Sequence, residues 1–419
     1  MIVKKIPIAL FLSFFLFQCG GQEGVNEQEI LFASRATQQE RTAFKNKLTE
    51  EIIGGVSTSS SDSLNESAWQ GAYWGMGMSH TRNAETKAII QKGFTNYQKG
   101  SPAYRRGLLE AAYTLYPNDF VEECQSVLGQ ETHPKLFAMI AIYLHRAGVN
   151  QPLQAILEKR FPNYKEEVIL AQLAYHLSGE QKKQLNNRPD LQALFAHQQQ
   201  HGLPVIYSFQ RLSRQFPGLA IVQRADGSFV KDEKGRVQTF PQLAMAASDM
   251  PSFLTNGNTP EGVFSIQGIG NSENVFIGPS PTVDMRMPFE APKQEYFHSK
   301  DTSSWSMEDY LSLFPEEWKT YTPIQAAYWA GKAGRSEIIA HGSTINPEFF
   351  QEASFYPLTP SLGCLTALEL WDEQTGALKE SSQQELIEAF SAEAVTKGYY
   401  YVINLDDQER SVLPEDLVK

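Results

Sequence analysis

Between residues 67 and 200 apolar residues recur at three- and four-residue spacing. GLLEAAYTLY (107–116), PKLFAMIAIYLHRAG (134–148), QPLQAILEKRF (151–161) and KEEVILAQLAYHLSG (165–179) carry the pattern, which predicts an α-helical domain. LYPNDFVEE (115–123) echoes RFPNYKEEV (160–168) at a period near 45, in the range of paired-helix repeats, so the domain reads as repeat-like. Its role is either a scaffold or a surface that docks a protein partner or substrate. His197 and His201 lie four apart, but Gln198 stands where a zinc protease needs its glutamate, and a solvated helix end is the simpler reading.

From Leu219 the alternation changes to that of strands. LAIVQRADGSFVKDEKGRVQTF (219–240) has β-formers around Asp226-Gly227 and Lys234-Gly235, both turn signals. Further strands are expected in 258–270, 274–279, 283–290, 336–343 and 397–405. Residues 291–335 interrupt the series and read as two short helices rich in aromatic residues. Such an insertion is either structural elaboration or a wall or lid beside a cleft, with Trp305, Trp318, Tyr321 and Trp329 offering surface to a ligand.

The N-terminus has its own pattern. Lys4 and Lys5 precede an apolar run, Ile6 to Phe17, which suits a signal peptide and is short for a membrane span. The run ends at Cys19-Gly20-Gly21. Leu16 three residues earlier makes this resemble a bacterial lipoprotein signal, with Cys19 as the lipidated residue; Gln18 departs from the usual small residue, and an ordinary secretory signal is the alternative. The expected organisation is a signal peptide (1–18), a Gly/Ser-containing tether (19–66) with a short helix near 38–53, the helical domain (67–200), a mainly-β domain (201–405) and a C-terminal tail (406–419). The implied location is the bacterial cell envelope, lipid-anchored.

The net charge is −12, and −14 without the first 18 residues (34 basic against 48 acidic side chains). An acidic chain without basic runs argues against nucleic-acid binding. Of three cysteines, lipidation of Cys19 leaves Cys124 and Cys364, which can form a disulfide; Cys124, within a helical pattern, reads rather as a buried core thiol. The cysteine spacing makes no metal site, and no cofactor is expected.

Cys364 lies in SLGCLT (361–366). A free thiol is a few per cent thiolate at neutral pH and needs a base. His341, ending the apolar run SEIIAHGS (336–343), is the candidate base, and the amides of Gly363 and Cys364 can hold an oxyanion. TPEGVFSI (259–266), AHGS (340–343) and SLGCLT, in that order, resemble the L,D-transpeptidase catalytic domain over roughly residues 218–405. The resemblance implies a β-rich, sandwich-like fold and remodelling of peptidoglycan stem peptides. It assigns Cys364 as nucleophile and His341 as general base. Gly342 would orient the imidazole through its carbonyl, Gly363 would serve the oxyanion hole, and Ser361 would support the loop. Leu362, Thr366 and Ser343 would face substrate. Leu362 and Thr366 depart from the family's basic or amide residues, so recognition of a carboxylate must come from elsewhere. Transpeptidation through a cysteine thioester with release of D-Ala is the implied activity. Carboxypeptidase action on the same peptides and a non-catalytic wall-binding adaptor are the alternatives.

Overall fold

The structure, a computed structural model, describes residues 30–57, 59, 65–392 and 395–417. The signal peptide and Cys19 lie outside these residues. No helix among the described residues is long and apolar enough to cross a membrane.

Residues 31–57, read from sequence as tether, fold. Helices α1 (Gln38–Asn46) and α2 (Gly54–Ser57) are joined by a π-helical stretch, Lys47–Ile53, and Ala36, Leu48, Ile53 and Val56 are buried. The short helix expected near 38–53 forms, and the apolar residues around the Gly/Ser stretch are buried rather than left in a tether.

The helical domain follows as α3 (Glu66–Met78), α4 (Ala84–Thr95), α5 (Pro102–Leu115), α6 (Val121–Leu128), α7 (Pro134–Arg146), α8 (Leu153–Arg160), α9 (Val168–Leu177), α10 (Glu180–Leu185) and α11 (Leu191–His201). Local chemistry sets the boundaries. Asn83 and Thr86 form a reciprocal capping box on α4, and Ser101 caps α5 ahead of a proline at its first position. Asp190 caps α11, and Gly202 in the left-handed region ends it. Nine consecutive residues of α7, Leu136 to Leu144, are buried, so this helix is the centre of the domain.

The strands close into an eight-stranded barrel rather than a sandwich. In chain order they are β1 (Val205–Gln210), β2 (Gly218–Gln223), β3 (Phe240–Leu243), β4 (Gly262–Gly270), β5 (Thr282–Arg286), β6 (Ala340–His341) and β7 (Leu365–Ala367), with β8 (Glu369–Trp371) and β9 (Leu378–Ser381) as a separate pair and β10 (Gly398–Asn404) last. The barrel order is β1-β10-β4-β5-β6-β7-β3-β2. Closure depends on β6, two residues long, which pairs antiparallel with β5 and parallel with β7. β1 was not anticipated, and 274–279 is not a strand: Asn274 turns it, its Oδ1 accepting from Phe276 N at 3.0 Å. The expected turns at 226–227 and 234–235 form, with both glycines at positive φ.

Both faces of the central strands are buried. Ile206, Val222, Phe264, Ile266, Tyr400 and Val402 pack with helix α15 (Ser382–Ser391). Val205, Tyr207, Phe209, Val263, Tyr399 and Tyr401 pack with α11 and the 291–335 insertion. The insertion holds α12 (Lys293–Tyr296), α13 (Met307–Leu311), two 3₁₀ turns and α14 (Ala326–Lys332). Trp318 and Tyr321 are fully buried in that core, which corrects their reading as ligand surface; Trp305 and Trp329 are half-buried against it. Helical domain and barrel interlock through the β3–β4 loop, whose Met250, Phe253 and Leu254 join the core of the helical domain.

Candidate active site

His341 ends β6, and Cys364 lies one residue ahead of β7. In the parallel pairing of these strands Ala340 faces Leu365 and His341 faces Thr366, so the two residues separated in sequence by a long loop arrive at neighbouring strand ends. His341 is buried, and its Nδ1 lies 2.5 Å from the Gly342 carbonyl oxygen. A carbonyl only accepts, so Nδ1 carries the proton and Nε2 is left with its lone pair. Burial holds the imidazole down, to about 4, and the Gly342 carbonyl only partly offsets this. The ring is therefore neutral at physiological pH.

Cys364 is half-buried and free, as is the fully buried Cys124; no disulfide joins them. The Cys364 thiol donates to the Glu337 carbonyl at 3.4 Å. Burial pushes it up to about 11; the backbone at Ile339 and the Arg335 guanidinium pull the other way. The resting pair is thus thiol and neutral imidazole.

The loop before Cys364 is closed by its own hydrogen bonds. Ser361 Oγ donates to the Cys364 carbonyl at 2.8 Å and accepts from Gly363 N at 3.0 Å. That occupies the Gly363 amide, expected from sequence to bind an oxyanion. Thr259, first residue of the TPEGVFSI stretch, donates from Oγ1 to the Gly363 carbonyl at 2.9 Å. Gly363 has φ +121°, a conformation that a side chain strains.

Two of the expected substrate-facing residues are structural instead. Thr366 is fully buried and donates to the Thr359 carbonyl at 2.6 Å. Ser343 is buried; its Oγ accepts from Thr359 Oγ1 at 2.6 Å and its carbonyl from Trp371 Nε1 at 2.9 Å. The resemblance implied that both face substrate; in the fold of the 359–366 loop they face Thr359 and Trp371 instead. Leu362 alone of the three is exposed, at 48%.

Two further residues complete the site. Arg335, at the end of the insertion, donates to the backbone carbonyls of Ser252, Asn258 and Gly257 at 2.5, 2.8 and 2.9 Å. A Cβ on Gly363 would overlap its Nη2. Burial lowers its guanidinium to about 10, and Cys364 is the charge partner that opposes this. Arg335 joins no ion pair with a carboxylate among the described residues, so its charge is directed at the loop of Cys364.

Glu369 on β8 lies behind the histidine. Its carboxylate accepts from Ser343 N at 2.8 Å, Ser381 Oγ at 2.9 Å and Ser280 Oγ. A Cβ on Gly342 would overlap that carboxyl. Burial pushes Glu369 up to about 7 against these three donors. Neither residue had a local signal. Arg335 follows a helix end like many surface arginines, and Glu369 sits in ALELW, which reads as an ordinary strand.

Arg335 ends the insertion at the site, and just after it the Glu337 corner has a φ of +61°, held by Glu290 Oε1 accepting from Glu337 N at 2.8 Å. The opposite wall belongs to the helical domain: α3, α5 and the β3–β4 loop meet Leu362 across a shallow cleft of ≈ 70 Å³. Comparison with family models, curated proteins and solved structures finds no match for this chain.

Proposed function

We propose that the protein is a cysteine acyltransferase of the L,D-transpeptidase type, acting on peptidoglycan stem peptides from a lipid anchor on the cell envelope. The observation that carries this is the fixed tautomer of His341. With Nδ1 bound to the Gly342 carbonyl, Nε2 is the only ring atom able to take a proton, and His341 pairs with Thr366, two residues beyond Cys364 on the adjoining strand. The identity of the substrate rests on the resemblance of the three ordered motifs.

In this reading the thiol proton moves to His341 Nε2 as Sγ attacks the carbonyl carbon of the amide between the diamino acid and D-Ala. The C–N bond then breaks, D-Ala leaves with the proton returned by His341, and a thioester remains. An amine of a second stem attacks the thioester, gives its proton to His341 and releases the thiol. Because the resting pair is neutral, His341 acts as a general base rather than as a standing imidazolium. The Arg335 charge favours both the developing thiolate and the oxyanion, and the Cys364 amide is the loop donor left for that oxygen.

Hydrolysis of the same thioester is a second reading, favoured by one observation. The aromatic body of the insertion is buried in the barrel's packing, while Leu362 beside Gly363 is exposed, so water reaches the loop next to the half-buried Cys364. The test is mass analysis of purified protein incubated with tetrapeptide muropeptides. Cross-linked dimers that have lost one D-Ala support transfer to an amine, and tripeptide monomers alone at saturating acceptor indicate the carboxypeptidase. No product from the wild-type protein, with Cys364 left unacylated by a carbapenem, overturns both.

A further inference from the structure

Trp74 on α3 is one of the few large apolar side chains left exposed, at 39%. Its ring meets Phe276 edge-on at 6.0 Å, and the Phe276 carbonyl accepts from Thr344 N at 3.0 Å, three residues beyond His341. Trp74 also lines the cleft that reaches Leu362, two residues before Cys364. Trp74 therefore connects through Phe276 to the chain three residues beyond His341 and borders the cleft that holds Leu362.

The cleft is not an apolar groove. Beside Trp74 and Leu362 it presents Gln70, Arg106, Glu110 and Asn256. Arg106 and Glu110 pair at 3.1 Å, and Asn256 Nδ2 donates to both Glu110 oxygens at 3.0 and 3.1 Å. The charges cancel inside the lining, so an anionic peptide gains nothing there and meets a buried carboxylate. The Gln70 amide has no hydrogen-bond partner among the described residues and is half-buried at the rim. An indole face bordered by planar amide and guanidinium groups of no net charge suits a neutral ring with an apolar C–H face and equatorial hydroxyl and amide groups. The cleft encloses only ≈ 70 Å³ and opens to solvent, so it takes one face of a ring at its rim rather than a whole ligand.

We infer that this cleft is a saccharide subsite, in which the helical domain holds the amino-sugar chain carrying the stem peptide. The inference rests on the reading of Cys364 as the nucleophile for that peptide, and it gives the helical domain a substrate-binding role. The sugar stacks on Trp74 and hydrogen-bonds to Gln70 and the outer N–H groups of Arg106, and the attached peptide runs past Leu362 to Cys364.

The test uses the full mature chain with Cys364→Ala, titrated calorimetrically with a β-1,4-linked tetramer of N-acetylglucosamine that bears no peptide. The expected result is saturable binding, weakened about 10-fold by Trp74→Ala, partly restored by Trp74→Phe and weakened several-fold by Gln70→Ala. In the active protein Trp74→Ala should raise KM for a disaccharide-tetrapeptide and leave KM for the free tetrapeptide unchanged. Because Trp74→Phe keeps the ring contact with Phe276, its recovery separates stacking from damage to α3. Equal sugar affinity in wild type and Trp74→Ala overturns the inference, as does binding of free tetrapeptide in the cleft with the tetramer silent. The two readings fail separately. Sugar binding without turnover removes the transferase reading alone, and turnover without sugar dependence removes the subsite alone.

Discussion

Glu369→Gln replaces a buried carboxyl by a neutral group of the same shape. In the folded protein burial pushes this carboxyl from 4.5 up to about 7. The unfolded chain therefore releases its proton first, and the native state must give up the proton, or the stability, as pH rises between those values. The sign follows directly. The stability associated with Glu369 is fully present below pH 4.5 and is lost as pH rises through 7. Each pKa unit is worth about 1.4 kcal/mol, so the whole loss is about 3 kcal/mol. Glutamine does not titrate, and its oxygen can still accept from Ser343 N, whose bond to the carboxylate is 2.8 Å. Ser280 and Ser381 can turn their hydroxyls to meet the amide.

Urea unfolding followed by tryptophan fluorescence at several pH values between 5 and 8.5 reads the effect. The variant should match or fall slightly below wild type at pH 5. It should gain on wild type by about 2–3 kcal/mol at pH 8.5, as the wild-type carboxyl ionises in place. Parallel stability curves would refute the reasoning, since they mean that Glu369 has the same pKa folded and unfolded. A larger penalty for glutamine at pH 8.5 than at pH 5 refutes it in the other direction: the three donors would then outweigh burial and hold a native carboxylate.

Cys364→Ala and His341→Ala should each abolish acyl-enzyme formation, detected by intact mass, and the double variant should lose no more than either alone, because the two act as a unit. Alkylation of Cys364 by iodoacetamide should be slow at pH 7 and rise about tenfold per pH unit towards 11, while Arg335→Met should slow it further at every pH; an unchanged rate in Arg335→Met removes that side chain from the electrostatics of the site. Cys124 should stay unmodified in peptide maps until the protein unfolds, since it is fully buried. Gly363→Ala, at φ +121° with its Cβ 2.7 Å from the Gly257 carbonyl and overlapping Arg335, should cost about 2–3 kcal/mol in chemical unfolding and lower kcat; wild-type behaviour would show that the loop can relax.

The helices were the most legible part of the sequence, because each carries its own periodicity and several carry caps: Ser101-Pro102 opens α5 and Asp190 opens α11. The strand-rich half was legible at its turns, Asp226-Gly227 and Lys234-Gly235, and along β4 and β10. It failed at β6, where only two residues of the apolar run 336–343 pair, and at β1, hidden between a helix and a loop. Barrel closure is not a local property, since it follows from the parallel contact of β6 with β7 across the 342–364 loop. Thr366 and Ser343 were misread for the same reason. They lie two residues from Cys364 and His341 in sequence, but their neighbours in space are Thr359 and Trp371.

Neither Leu362 nor Thr366 brings charge to Cys364, for a physical reason. A basic side chain at either place would supply positive charge to the nucleophile's loop, yet Thr366 is buried and Leu362 points into the cleft shared with the helical domain. The charge arrives from the other direction, on Arg335. Three backbone carbonyls of the β3–β4 loop fix its guanidinium, and that loop is itself anchored in the helical core by Met250, Phe253 and Leu254. Carbonyl oxygens orient a guanidinium without neutralising it, whereas a carboxylate partner would cancel the field at Cys364. The arrangement ties the electrostatics of the nucleophile to the docking of the helical domain. A change that loosens Phe253 or Leu254 from the helices should therefore move the reactivity of Cys364, although neither residue lies in the catalytic pair.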